Sequence, residues 1–177
     1  MMERILEKRE LAERIQWLIK GRWFAAGGVL ALTWFTSEVL DILPRPLPLY
    51  LIGISIALYN TLFLAYARKI PSQENATKME GRFAHIQIST DLFALSVLLH
   101  FSGGVESPFI FYFVFHVIVS SILLSVQATY LQATFAVFLF SLLVGLEYAH
   151  ILPHVPLRNF TAPDLYERGR YLLGILF

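Results

Sequence analysis

No cysteine occurs in this chain, and only 15% of its 177 residues are charged. The first absence excludes disulfides, thiolate metal sites and thiol nucleophiles. The second excludes an ordinary soluble domain, in which about 25% of residues carry charge. Charge of one sign is missing too: 14 Lys and Arg against 13 Asp and Glu leave a net charge of +1, so there is no basic footprint for a nucleic acid. There is no Walker loop, no dinucleotide-binding glycine pattern and no HExxH helix, so no catalytic residue is assigned. Glu147 and His150 share a helical face at i, i+3, and no metal site is assigned.

What is present is apolar. Hydrophobic side chains make up 56% and aromatics 15% of the chain, and the mean hydropathy is +0.61. These residues are massed in runs at 23–43, 47–67, 83–101, 108–126 and 129–152, separated by short polar punctuation. Each run approaches or exceeds the ~20 residues that a helix needs to cross a ~30 Å hydrocarbon core. A sixth run opens at Tyr171 and reaches Phe177 after seven residues, or ~10 Å of helix. The expected architecture is an all-α, polytopic membrane bundle of six transmembrane helices with the sixth truncated. A cytoplasmic amphipathic arm over 1–22 precedes a transmembrane domain over 23–177.

Pro44-Arg45-Pro46 predicts a tight reversal between the first two helices, and Gln127-Ala128 marks the break between the fourth and fifth. Six Lys and Arg in the arm and four in the 68–82 connection face one way; four lie in the remaining connections. That asymmetry predicts a cytoplasmic N-terminus. The arm alternates acids with bases and carries Leu11, Ile15 and Leu18 along one side. It reads as a solvated helix that enforces orientation, or as a dimer contact or an interfacial helix on the inner leaflet.

An ionisable group inside a span costs ~3 kcal/mol or more, so each needs a reason. Asp91 lies near the middle of the third run and Glu147 inside the fifth. His100, His116, His150 and His154, with Glu106 and Glu147, gather in the outer half of the expected bundle. Three functions suit such a cluster: hydrogen bonding to a redox ligand, axial ligation of a b-type haem, and an ion or proton pathway. The plain structural alternative is that helix-end imidazoles bond a backbone carbonyl or a lipid headgroup.

The connection His100-Phe101-Ser102-Gly103-Gly104-Val105-Glu106-Ser107-Pro108-Phe109 is the most informative stretch. Gly103-Gly104 permits positive φ and close backbone approach; Ser107 is a natural N-cap, and Pro108 occupies the favoured first helical position. The fourth helix then presents free N–H groups beside several aromatic rings. A quinone suits that surrounding, because its carbonyls accept hydrogen bonds, its ring stacks and its tail lies in lipid. The same residues also suit a short turn that merely starts a helix.

From Asp91 through Phe109 the sequence resembles the membrane sensor domain of RegB/PrrB-type redox-responsive histidine kinases, whose loop signature is Gly-Gly-x-x-Asn-Pro-Phe. Here Gly103, Gly104, Pro108 and Phe109 match, and Ser107 stands where the family has Asn. The resemblance extends through Arg22-Trp23 and the six-span plan. It implies a quinone (ubiquinone or menaquinone) as sensed ligand, held by His100, Gly103, Gly104, Glu106, Ser107, Pro108, Phe109 and His116. It implies a homodimer in the bacterial inner membrane, surrounded by lipid. A cytoplasmic kinase region absent from this chain would address a response regulator. Two other functions remain open on the residues: a haem-binding electron-transfer membrane subunit, resting on the four histidines, and a small transporter, resting on Asp91 and Glu147.

Overall fold

The computed structural model describes residues 2–68, 76–158 and 165–176, and the backbone alone for 2–12, 14–15 and 76–80. Among them there are six α-helices and no strand. The acid–base alternation of the arm lies almost wholly outside the described side chains.

Helix α1 runs unbroken over Met2–Trp34. Its 33 residues make a rod of ~50 Å, longer than the hydrocarbon core, so the arm and the first apolar run form one helix rather than two elements. It widens into a π-helical turn over Phe35–Val39 and reverses through Asp41, which has φ +48°. The first apolar run therefore stops being helical a few residues before its sequence end. Helix α2 (Leu47–Ala67) starts at the expected proline-rich reversal. It packs closely on α1 at Gly53, where a Cβ would stand 2.7 Å from the Leu30 side chain. Small residues at such crossings let helices approach in lipid, where packing replaces hydrophobic collapse.

Helix α3 (Ala76–Phe101) is the axis of the bundle. Of its most apolar stretch 61% is buried, against 22% for α2 and for α5. It touches α1, α2, α4 and α5. Ile88, Leu92, Leu95 and Leu99 interlock with Phe113, Val119 and Leu123 of α4 and with Ala136, Leu139 and Leu143 of α5. Helix α4 (Tyr112–Leu123) follows a 3-10 turn at Pro108–Phe111. The break before α5 (Val126–Tyr148) falls at Leu124 and Ser125, a few residues earlier than Gln127-Ala128 suggests. Leu124 is extended and the Ser125 hydroxyl accepts from the Ala128 N–H at 3.4 Å, an N-cap inside an apolar run. Helix α5 ends at Tyr148, and His150 has φ +55°. Helix α6 covers Gly169–Leu176.

Among the described residues three helices are long and apolar enough to cross a membrane: α2, the Gly81–Phe101 part of α3, and α5. Their outward surfaces are what a bilayer requires. Leu47, Leu51, Ile54, Leu58 and Leu62 form an exposed stripe down α2. Helix hydroxyls are satisfied internally, as with Thr61 to the Ala57 carbonyl at 2.9 Å and Ser96 to that of Leu92 at 2.9 Å.

Candidate functional site

Three features carry the polar chemistry. The first ties α1, α2 and α3 together in mid-bundle. Arg22 donates from Nε to Asp91 Oδ1 at 2.8 Å and from Nη2 to Oδ2 at 2.7 Å. Its Nη1 donates to Asn60 Oδ1 at 2.9 Å and Gln87 Oε1 at 3.0 Å. The Tyr59 hydroxyl donates to Asp91 Oδ1 at 2.8 Å, and Asn60 Nδ2 to the Ile19 carbonyl at 3.0 Å. The guanidinium also lies 5.1 Å from the Phe63 ring centre. A rigid, delocalised fork is the cation best able to satisfy so many acceptors away from water. The sequence singles out Asp91 but leaves Arg22 among the orienting charges of the arm.

The second feature closes the loop end of the bundle against α5. Glu147, 1% exposed, accepts from His100 Nδ1 at 2.8 Å on one oxygen and from His154 Nδ1 at 3.0 Å on the other. The opposite nitrogen of His154 lies 3.5 Å from Glu106 Oε1, at ion-pair distance. Tyr166 stacks on the His154 ring, centres 4.2 Å apart. Burial of that ring works against its charged form. The hydrogen bond to Glu147 and the attraction of Glu147 and Glu106 outweigh it and hold the His154 pKa above the ordinary histidine value.

Backbone shape makes this closure possible. Gly103 and Gly104 have φ +106° and +54°, as the sequence predicts. A Cβ on Gly104 would lie 2.3 Å from Glu147 Oε2, so the missing side chain is the space the carboxylate occupies. Ser107 caps the next turn by accepting from the Phe109 N–H at 3.3 Å, and its hydroxyl meets that of Ser102 at 2.9 Å.

The third feature is an apolar cleft of about 620 Å³ between α1 and α4, floored by α3 and reached by α2. Pro108, Phe109, Tyr112 and His116 supply the α4 side, and Ser102 lies at the loop end. Among the described residues Arg22 and Asp91 are the only Lys, Arg, Asp or Glu that line it, and Tyr59 lines it beside them. Ligand sites of ~300–1,000 Å³ have this make-up: apolar walls with few polar groups. His116 directs Nδ1 to the Tyr112 carbonyl at 2.7 Å; a carbonyl only accepts, so Nδ1 carries the hydrogen, and in the neutral tautomer Nε2 is the acceptor.

The eight residues selected from sequence therefore separate. Pro108, Phe109 and His116 wall the cleft. Ser107 stands behind it through Ser102, and Gly103 packs on Leu157, another cleft residue. His100, Gly104 and Glu106 face α5 and belong to the carboxylate–imidazole cluster. His150 lies outside that hydrogen-bonded chain, with its ring 6.2 Å from Tyr166. Tyr59, Asn60 and Gln87 were not selected. The available signal was a mid-span acid, which demands a donor nearby.

The PilS-like transmembrane domain model matches residues 6–163. The chain is also similar to the sensor histidine kinase RegB of Cereibacter sphaeroides: 28% identical over 169 residues, covering 93% of this chain and 34% of that protein. It thus spans about a third of the length of this curated relative. No solved structure matches. With its apolar helices, lipid-type surface and buried polar pairs, the chain is a multi-pass membrane domain and belongs to the PilS-like transmembrane domain family.

Proposed function

We propose that this domain is the transmembrane sensor region of a histidine kinase and that it reads the redox state of a membrane quinone in the cleft between α1 and α4. The cleft carries this reading. It is lined by lipid-like side chains, is of quinone size, and offers aromatic rings at Phe109 and Tyr112 with hydrogen-bonding groups at Tyr59, Asp91 and His116. The match to RegB, named a sensor histidine kinase, supports the kinase assignment.

A sensor responds only if its ligand's two forms bind its states differently. Quinone carbonyls accept hydrogen bonds, whereas quinol hydroxyls also donate. The cleft holds acceptors suited to the reduced form at Asp91 and, when its ring is neutral, at His116 Nε2; the Tyr59 hydroxyl donates to Asp91 and offers its oxygen as a further acceptor, so the set favours the quinol. Because α1 and α4 form opposite walls, exchange of one form for the other changes the spacing of two helices. In this reading the bundle has six spans with α6 opening the last, the N-terminus is cytoplasmic, and the bacterial inner membrane is its site. A homodimer passes the change to a kinase region and its response regulator.

Extraction of the purified domain tests the proposal. Quinone co-purifies with the parent chain and with the lipid-facing Gly27→Ala variant. Ala94→Phe, which fills the cleft from its α3 floor, removes it. Quinone-free parent protein that also fails to take up added quinone overturns the assignment.

A further inference from the structure

Helix α5 packs on α3 and α4, yet the segment that follows it does not stay there. Residues 149–158 leave the helix and cross the loop end of the bundle to the reversal between α1 and α2. At the near side the Ile151 and Leu152 N–H groups bond the Leu146 carbonyl at 3.0 and 3.1 Å, and His154 bonds Glu147 at 3.0 Å. Val155 is buried on the way. At the far side the Arg158 N–H donates to the Ile42 carbonyl at 2.9 Å, and the Arg158 guanidinium pairs with Asp41 at 3.2 Å. That pair is exposed and holds little by itself. What seats the segment is Leu157, packed among Leu43, Leu49 and Leu98.

Leu157, Leu43, Leu49, Leu98 and Ser102 also line the cleft, and each is less than a tenth exposed. The loop end of the cleft is therefore shut. Towards the other end Leu18 of α1 and Leu124, just after α4, pack on the main core, and Leu124 also packs on the cluster that holds Ile19 of α1. Along the two helices between these ends the lining includes large exposed side chains: Trp17, Phe24 and Leu32 on α1, Tyr112 and Phe115 on α4. A bilayer solvates such a rim, and water does not. We propose that residues 149–158 are a strap that closes the cleft to the aqueous phase at the loop end, with Leu157 as its plug, so that the ligand is a lipid-soluble molecule entering sideways between α1 and α4.

The strap joins α5 to the α1–α2 reversal, and the loop is shaped to receive it. A Cβ on Gly103 would stand 2.8 Å from Leu157 Cγ, so the missing side chain is the seat of the plug. The seal selects ligands by route. A charged or strongly hydrated molecule must shed its water to cross the lipid, which is costly, whereas an apolar molecule with few polar atoms arrives already dissolved there. Water is kept from the loop end for the same reason, which leaves the polar groups of Arg22, Asp91 and Tyr59 as the few that an occupant meets. The seal stands whether or not the occupant is a quinone.

Because the chain has no cysteine, single introduced thiols report access without background. The test uses the whole chain in lipid nanodiscs and a water-confined reagent, sulfonatoethyl methanethiosulfonate, which modifies ionised thiols. Arg45→Cys, in the exposed reversal, reacts fast, and Ser102→Cys, at the loop end of the cleft, reacts slowly. Adding Leu157→Ala speeds the reaction of Ser102→Cys about ten-fold or more by giving its thiol water in which to ionise, whereas the volume-conserving Leu157→Met leaves it slow. Ser120→Cys, in α4 at a fully buried position that does not line the cleft, stays unreactive throughout, which separates an opened strap from a loosened bundle. In the parent chain a phenyldiazirine dissolved in the lipid and activated by light inserts into Leu95 and Leu98, which line the cleft, and not into Leu92 and Leu99, which do not. Ser102→Cys reacting as fast as Arg45→Cys, a rate indifferent to Leu157→Ala, or Leu95 and Leu98 left unlabelled overturns the proposal. Both readouts work without quinone, so a sealed cleft that is labelled from the lipid but takes up no quinone upholds the strap and counts against the quinone assignment alone.

Discussion

Arg22 and Asp91, 69 residues apart in sequence, meet as a two-pronged ion pair with N–O distances of 2.8 and 2.7 Å and almost no exposure of either side chain. A buried pair is not evidence of stability in itself, since replacing both charges with apolar groups is often neutral; removing one partner is what costs. Asp91→Leu strands the guanidinium and loses about 3–5 kcal/mol. Arg22→Met with Asp91→Leu loses clearly less than Asp91→Leu alone. Arg22→Lys falls between, because one ammonium cannot serve Asp91, Asn60 and Gln87 together. Denaturant unfolding in mild detergent gives these values, and a double variant as damaged as Asp91→Leu contradicts the pairing.

Gly104 is a sharper structural requirement than Gly103. Its Cβ would overlap the Glu147 carboxylate, whereas that of Gly103 meets the flexible end of Leu157 at 2.8 Å. Both have positive φ, so both alanine variants are strained by about 1–3 kcal/mol. Gly104→Ala adds displacement of a buried charge and is the worse of the two. At Gly27 an added Cβ meets nothing within 4 Å, so alanine there gains about 0.5–1 kcal/mol. The order of the three melting temperatures checks this.

Stability depends on pH through His154. Its folded pKa lies above the unfolded value, so its contribution is complete below the ordinary histidine pKa and disappears as pH rises through the raised one. The melting temperature of the parent chain therefore declines, relative to His154→Gln, as pH rises from the ordinary histidine pKa through the raised one. Parallel profiles contradict the assigned charge.

Gln132 binds α5 to α3 by donating to Ser89 Oγ at 2.9 Å and contacting His85 at its ring and carbonyl. It is 1% exposed. Gln132→Ala removes these bonds where water is scarce and costs about 1–3 kcal/mol. Exchange rates of the α5 amides near residue 132 rise in the variant if this contact clamps the two helices.

The local features were legible in the sequence because short-range chemistry dictates them. Gly103-Gly104 gives positive φ, Ser107-Pro108 starts a 3-10 turn that leads into α4, and apolar length marks α2, α3 and α5. The Ser125 cap was hidden because one serine inside an apolar run looks like any satisfied hydroxyl. The gathering of His100, Glu106, Glu147 and His154 could be read from their heights along the helices. Their pairing could not, since it depends on how α3 and α5 are rotated against each other. Arg22 shows the same limit: adjacency to the basic arm suggested an orienting charge, while its turn on α1 points it at Asp91. The selected loop residues thus divide between the cleft wall and the carboxylate–imidazole cluster, on opposite sides of one turn, a division that no linear motif displays.

The central claim is that the cleft binds a quinone and distinguishes its redox forms. A ligand binding both states equally shifts no equilibrium, however tight it is. Trp17 lines the cleft, so quenching of its fluorescence by short-chain quinone and by the corresponding quinol reports occupancy directly. With Trp23 and Trp34 replaced by Phe, the account predicts saturable binding of both forms with affinities at least ten-fold apart, abolished for both by Ala94→Phe. Equal affinities for the two forms, or quenching that never saturates and is unchanged by Ala94→Phe, would contradict it.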